Sequence, residues 1–429
     1  MNSEDKNNSA RKVAEAMVDN MQANQQNPNF DDEKERSFQE ARDKVFANRK
    51  IINIGIIGCG GIAKNHAFSI SLLENNARKI WKWKESKQKI KPVLYALADI
   101  EGSKAEEFAQ HFPAKKIYKG ANAGNELIDD PDVDAVFILV PTVDHLGYVL
   151  RAAEKGKHIM LEKPAAFSPD DIRKMIEARD KHKVVLQVGL VMRSSSPIYY
   201  LKKLLSDNKE KWGSLTNIVY SDSQQKPYTN DPTHPSTWRR DKNKAHAGVL
   251  FEHDIHDLDG MISILGKVDE VYAKIKYFAG YAGIEDSVAA LVTFKNGVTF
   301  SMNCMWNDLN YDCRKYEIFF EKAKIRIIAD GRDEKLAEVF VQYLDEPEYE
   351  IEMKTMDDYF FKQIGMPHVK AEIPGPYYAE DLRFIMAIVE NNIESEIKAE
   401  YGKYVQEVIE AIYHSNEIGN VVKIREKLL

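Results

Sequence analysis

The chain has 429 residues, 44% of them hydrophobic, which is enough to bury more than one core, so two domains are expected. A net charge of -7 and an isoelectric point near 6.0 exclude a global attraction to nucleic acid or to an anionic membrane. Three cysteines (Cys59, Cys304, Cys313) make no disulfide framework, no apolar run approaches the roughly 20 residues that span a bilayer, and a start carrying Glu4 and Asp5 fits no secretory or transit peptide, so a reducing cytoplasm is the expected location.

Residues 1–50 are polar and rich in Asn, Gln, Asp, Glu and Lys. Val13, Met17 and Met21, then Phe38, Ala41 and Val45, have helical spacing. The expectation is a surface extension with one or two short helices, or a packing arm used in oligomerisation. From Ile51 the texture changes: Ile51 to Ile57 is an apolar run of the kind buried in a parallel sheet, stopped by Gly58-Cys59-Gly60-Gly61-Ile62-Ala63. Ala63 to Leu73 follows as a helix. Val93 to Asp99 is a second strand, Lys104 to Phe112 a second helix, and Ala135 to Val140 a third strand that ends at Pro141. His145 to Lys155 is helical, and His158 to Leu161 is a strand that leads into Glu162-Lys163-Pro164. Strands alternating with helices predict a doubly wound parallel sheet over residues 51–165.

After Pro164 the pattern shifts. A helix is expected at Pro169 to His182 and a strand at Val184 to Val188. Strand-like runs then recur at Leu215–Ser221, Val268–Phe278, Val288–Phe294, Thr299–Met305, Lys315–Phe320 and Lys324–Ala329, with Asn296-Gly297 as a hairpin signal. Two helices are expected between Ala379 and Ile418. Residues 166–429 therefore read as an α+β domain built on a large, mostly antiparallel open sheet.

Gly58-x-Gly60-x-x-Ala63 follows a strand and opens a helix, the context in which this spacing binds a dinucleotide. Gly58 permits the tight turn, Gly60 lets the backbone approach a pyrophosphate, and Ala63 allows close helix–strand packing. The helix N-terminus offers amides and a positive dipole end to the phosphates. Asp99, at the end of the second strand, can accept from both ribose hydroxyls, which favours NAD and disfavours NADP, whose 2′-phosphate it would repel. Asp99 lies farther from the glycines than the usual ~20 residues, because Asn75 to Lys91 reads as an insert. It carries Arg78, Lys79, Lys82, Lys84, Lys87, Lys89 and Lys91 with Trp81 and Trp83, and is expected to be a solvated basic loop.

Other segments admit more than one reading. Lys163, stiffened by Pro164 at the mouth of a sheet, can be aimed at a ligand or be a surface lysine in a turn. His145 can border a cofactor or cap its helix, and His158 reads as a core histidine. Glu252-His253-Asp254-Ile255-His256-Asp257-Leu258-Asp259 also allows a metal reading, because His253 and His256 share a helix face. No Cys cluster or His-Glu-x-x-His pattern supports a metal, and none is expected.

With these motifs in hand, the chain resembles the glucose–fructose oxidoreductase / inositol dehydrogenase (Gfo/Idh/MocA) family. The likeness rests on Gly58 to Ala63 with His66, Pro141-Thr142 with His145, Glu162-Lys163-Pro164, Gln187-Val188-Gly189 with Arg193, Trp238-Arg239, and Glu252-x-x-x-His256-x-x-Asp259. It covers most of residues 51–429. The resemblance implies a Rossmann domain, an α/β domain whose open sheet commonly mediates dimers, and oxidation of a sugar or cyclitol hydroxyl by hydride transfer to a nicotinamide. It further implies that Gly58, Gly60, Gly61, Ile62, Asp99, Pro141, Thr142, His145, Glu162 and Lys163 contact the cofactor. Arg193, Trp238, Arg239 and Asp259 would face the substrate. Lys163 would bind the reacting hydroxyl and the nicotinamide ribose, and His256 would be the general base, with Glu252 beside it. Glu252 stands where the family usually has Asp, and Ala245-His246-Ala247-Gly248 replaces a glycine-rich approach. A homodimer or homotetramer acting on a small polyol or sugar is the implied assembly. The open alternatives are a relative that holds NAD tightly and recycles it within one turnover, and a catalytically silent sensory protein of the same fold.

Overall fold

A computed structural model of the chain describes residues 50–83, 90–227, 237–309, 311–330, 337–364, 375–390, 392 and 397–424. The expected N-terminal extension and Lys84, Lys87 and Lys89 of the basic insert lie outside these residues. The described residues divide into two units, one of 50–139 and one of 140–364 with 375–424.

In the first unit, β1 (Lys50–Ile57) pairs in parallel with β2 (Ile90–Asp99) on one side and β4 (Ala135–Ile138) on the other, and β2 pairs with β3 (Lys116–Lys119). Ile52, Ile54, Ile56 and Ile57, and all four residues of β4, are buried, as expected of strands covered on both faces. Helices Gly61–Trp83, Gly102–His111 and Ala123–Asp129 make the crossovers. β2 and β3 lie to one side of β1 and β4 to the other, so strand order reverses at the C-terminal end of β1, where open α/β sheets hold ligands. The first helix continues through Asn75–Trp83, where a loop was expected. The good helix formers Ala77, Arg78 and Lys79 carry it past the Asn75-Asn76 pair. Lys91 of the insert is in β2 and pairs with Glu74 at 2.7 Å.

The second unit opens with β5 (His158–Leu161) and β6 (Leu186–Val188), parallel and joined by helix Pro169–His182. That helix has clear stops: the Ser168 hydroxyl accepts from the amide of Asp171 at 3.2 Å, Pro169 occupies the first turn, and Lys183 closes the end at φ 55°. A nine-stranded sheet follows, in the order β14-β13-β12-β11-β7-β10-β9-β8-β15. These strands are β7 (Leu215–Gln225), β8 (Val268–Lys276), β9 (Ser287–Phe294), β10 (Thr299–Asn307), β11 (Cys313–Phe320), β12 (Ala323–Asp330), β13 (Glu338–Tyr343), β14 (Tyr349–Ile351) and β15 (Val422–Lys423). All its neighbours are antiparallel except β7 and β10. Alternate residues of β10 (Phe300, Met302, Cys304, Trp306) are buried. Helix Ala399–Ile418 docks on β8, where Ser415 and Asn416 accept from the amides of Ala273 and Ile275 at 3.1 and 2.9 Å. Helices Ser196–Asp207 and Met353–Gln363 and strands β3, β13 and β14 were not expected from the sequence. Among the described residues no helix is long and apolar enough to cross a membrane.

Candidate active site

The glycine turn of the first unit is held from beneath by Asp99. Its Oδ2 accepts from the amide of Cys59 and its Oδ1 from that of Glu101, both at 2.8 Å, while the amide of Gly58 donates to Ala98 O at 2.8 Å. Gly58 has φ 95°, a conformation that only glycine adopts cheaply. A Cβ on Gly60 or Gly61 would meet nothing within 4 Å among the described residues, so the turn faces open space there. Bare backbone under open space at the start of a 23-residue helix fits a dinucleotide's pyrophosphate. Each Asp99 oxygen keeps a second lone pair for a ribose hydroxyl. Ile62 is half-buried, and Ala63 is fully buried where the helix meets the sheet. The buried Cys59 thiol is pushed up to about 12, first by burial and then by Asp99, and so is no nucleophile.

In the second unit, the chain leaving β5 turns at Glu162-Lys163-Pro164. Buried Glu162 accepts from the amide of Lys163 at 2.9 Å through Oε2. The half-buried Lys163 donates from Nζ to the backbone carbonyl of Glu252 at 2.5 Å. Burial lowers the Lys163 pKa, more than Glu252 and Glu162 raise it, with Arg239 and Arg314 adding to the depression. His145 opens helix His145–Glu154 with both ring nitrogens at backbone carbonyls: Nδ1 at Pro164 O (3.0 Å) and Ala165 O (3.2 Å), Nε2 at Val140 O (2.9 Å). It therefore pins the segment that carries Lys163. Burial keeps its pKa below the usual value despite those acceptors. Pro141 precedes the turn Thr142–Asp144, in which Thr142 is buried.

Glu252 lies in a single π turn, Leu250–Asp254, that runs into helix Ile255–Leu265. Such turns are frequent at functional sites. Its side chain is buried; Oε2 accepts from Arg239 Nε at 3.1 Å, and Oε1 has no hydrogen-bond partner among the described residues. Burial raises its pKa against the pull of Arg239 and Lys163. The guanidinium of Arg239 also lies over the Trp238 ring, 4.3 Å from its centroid. His256 is half-buried and its Nδ1 has no partner among the described residues. Burial, then the charges of Lys163, His253 and Arg314, hold its pKa well below 6.5, so the ring is neutral and able to take a proton.

Arg193 and Asp259 are spent on each other: Nε and Nη2 of Arg193 donate to the two Asp259 oxygens at 2.7 Å each, and the guanidinium stacks on Tyr401 at 3.9 Å. His246, at φ 74°, stacks on Phe167 at 4.9 Å and packs on Phe251 at 5.2 Å, giving the replaced glycine-rich approach an aromatic wall.

Behind the turn is a charged cluster that motif reading missed. Arg314 of β11 lies opposite Asp222 of β7, donates to His253 Nε2 at 2.8 Å, and is 3.0 Å from Asp257 Oδ1. Tyr220 donates to Asp254 at 2.7 Å, and Tyr316 donates to Asp257. Burial with two neighbouring carboxylates pushes Asp254 far up. Burial also raises Asp222, but His253 and Arg314 outweigh it and hold it low. Asp222, Asp254 and Asp257 bring three oxygens within 4.8 Å of one another, and the Arg314 guanidinium supplies the countercharge among them. His253 accepts from Arg314 and so turns to this cluster. Polar residues at buried, register-matched positions of β7 and β11 were the signal available.

Two sequence patterns match the chain: residues 52–190 match "Oxidoreductase family, NAD-binding Rossmann fold", and residues 211–424 match "Oxidoreductase family, C-terminal alpha/beta domain" of the Gfo/Idh/MocA group. The chain is 32% identical over 254 residues to the uncharacterized oxidoreductase YrbE of Bacillus subtilis, a match that covers 58% of this chain and spans 65% of that protein. It is 27% identical over 286 residues to the myo-inositol 2-dehydrogenase of Thermotoga maritima, covering 65% of this chain and 75% of that one. Its fold superposes on a levoglucosan dehydrogenase in complex with NADH and levoglucosan with TM-score 0.72 at 22% identity, over 88% of this chain and 100% of that one.

Proposed function

From the premise that the chain belongs to the Gfo/Idh/MocA oxidoreductase family, we propose that it oxidises a hydroxyl of a sugar, cyclitol or related polyol, with NAD as hydride acceptor. The observation that carries this reading is one cluster on two short segments: the Lys163 ammonium on the Glu252 carbonyl, an unpartnered Glu252 oxygen, and a neutral His256 with an unpartnered nitrogen. Those groups supply what alcohol oxidation asks of a protein: a cationic donor to the hydroxyl oxygen, an acceptor for its proton, and an anchor for a neighbouring hydroxyl. The activities of two relatives, myo-inositol 2-dehydrogenase and levoglucosan dehydrogenase, support a polyol or sugar substrate.

In this reading Gly58, Gly60, Gly61 and Ile62 hold the pyrophosphate through bare backbone, and Asp99 takes the ribose hydroxyls. NAD, when bound, supplies the hydride acceptor. Lys163 donates to the substrate hydroxyl oxygen and stabilises charge that develops there. His256 removes the hydroxyl proton. Its depressed pKa keeps the ring deprotonated before turnover. Glu252 Oε1 accepts from a second hydroxyl, while Arg239 and Trp238 form a charged, flat face suited to a sugar ring. His145 acts through the carbonyls of Pro164 and Ala165, and Arg193 and Asp259 act as a mutually neutralising pair.

The test is nicotinamide absorbance during incubation of the purified protein with NAD and a panel of polyols and sugars. Accumulation of free NADH with at least one of them is expected. No turnover on any, or undiminished turnover in both Lys163→Ala and His256→Ala, rejects the reading.

A further inference from the structure

The turn that bears Glu252 begins against a residue to which no role has been given. Glu285 lies just before β9, in the same unit, and is 1% exposed. Its Oε2 accepts from the amide of Gly248 at 2.6 Å, its backbone carbonyl from that of Val249 at 2.9 Å, and its Oε1 from that of Leu250 at 3.1 Å. The helical ladder starts immediately afterwards, with the Glu252 amide on Gly248 O at 2.8 Å. The first amides of a helix have no partner within it. Here three consecutive ones are taken by three oxygens of a single residue from the loop ahead of β9. The approach is so close that a Cβ on Gly248 would sit 1.8 Å from Glu285 O, so no other residue fits at 248 without moving the strand or the turn. Tyr413 of helix Ala399–Ile418 donates to Glu285 Oε1 at 2.9 Å, the oxygen that also accepts from Leu250.

We propose that Glu285 is a positioning residue for the oxidation: by clamping Gly248, Val249 and Leu250 it sets where Glu252 and His256 stand relative to Lys163. The inference rests on the function proposed above. Its mechanical logic is short. Leu250 is two residues before Glu252, whose carbonyl receives Lys163 Nζ, and the next turn carries His256. A slip at the start of the helix therefore reaches all three groups at once. Misplacement by about 1 Å can cost on the order of 100-fold in rate. An anionic carboxylate at a helix N-terminus is also favoured by the helix dipole.

The test is Glu285→Gln, which keeps the shape of the side chain but turns one acceptor into an amide donor facing a backbone N–H. The expected result is a kcat lower by roughly 10- to 100-fold, with KM for NAD within about two-fold of the parent. The His256 ring signals, assigned in NMR spectra by comparison with His256→Asn, should shift. A purely structural role would lower stability and leave kcat and those signals unchanged in the folded protein; that outcome overturns the proposal. Should Glu285→Gln not fold, Tyr413→Phe removes a single hydrogen bond to the same carboxylate. A kcat lower by a few-fold with moved His256 signals supports the clamp, and parental values of both overturn it. If the parent oxidises no polyol, the functional reading has failed, and the His256 signals of Glu285→Gln still decide whether the clamp positions that ring.

Discussion

Lys163 donates its ammonium to the backbone carbonyl of Glu252, 89 residues along the chain, at 2.5 Å. A carbonyl leaves the lysine's charge uncancelled, whereas a direct carboxylate partner would neutralise it. In the proposed oxidation the cation therefore stays available to polarise a hydroxyl, while the Glu252 carboxylate is turned toward Arg239. Lys163→Met keeps the stem and removes the donor. Its kcat for polyol oxidation is expected to fall by about 100-fold or more, with thermal unfolding close to that of the parent. Steady-state kinetics beside a melting curve check this.

Glu252 tunes that cation as well as orienting it. Burial depresses the Lys163 pKa, and Glu252 is foremost among the groups that oppose the depression. Glu252→Gln keeps the size of the side chain and an oxygen for Arg239 but removes the negative charge. The Lys163 pKa then falls further, so the high-pH limb of kcat/KM is expected to move to lower pH, and the variant to lose more activity at pH 8 than at pH 6. A pH–rate profile of the two proteins measures it; coincident alkaline limbs would exclude the coupling.

Much of this site was legible in the sequence because its parts have local signatures. β5 is a short apolar run between glycine and proline, and helix Pro169–His182 is bounded by Ser168-Pro169. The glycine turn is legible in its spacing and Lys163 in its place ahead of Pro164, whereas Glu252 and His256 are singled out by the family resemblance. What escaped depends on pairing between distant strands. Asp222 and Arg314 face each other across β7 and β11, and neither strand alone says that the two are opposed or that Asp222 is buried. β3, Lys-Ile-Tyr-Lys, is too short and too charged to read as a strand, and it forms because β2 offers it an edge. Glu285 reads as a polar residue ahead of a strand; only the fold brings three amides to it.

The Arg193–Asp259 pair is a stability device whatever else it does. Asp259 is fully buried with its pKa raised by burial and held back by Arg193. Arg193→Met strands a carboxylate in the interior, which costs about 3–5 kcal/mol. The orphaned group then prefers to be protonated, so the loss is expected to be smaller near pH 5 than near pH 8. Urea unfolding of parent and variant at the two pH values checks both the size and the sign.

Glu285 links the clamp to pH. Burial raises its pKa from 4.5 to about 7, against the amides of Gly248 and Leu250 and the Tyr413 hydroxyl, which lower it. Between those values the folded protein holds a proton that the unfolded chain has released, so protonation favours the fold at low pH. That contribution is fully present below pH 4.5 and is lost as pH rises through 7; it is worth roughly 3 kcal/mol across the window. The carboxylate is thus formed at a cost in stability, and in return gives the turn its acceptors. Gln at 285 does not titrate, so the stability of Glu285→Gln relative to the parent is expected to rise from pH 5 to pH 8 even as its kcat falls. Urea unfolding across that range reads the difference directly, because groups common to both proteins cancel. A flat difference would place the Glu285 pKa at its ordinary value and detach the clamp from pH, leaving its geometry to be judged by the kinetics of the variant.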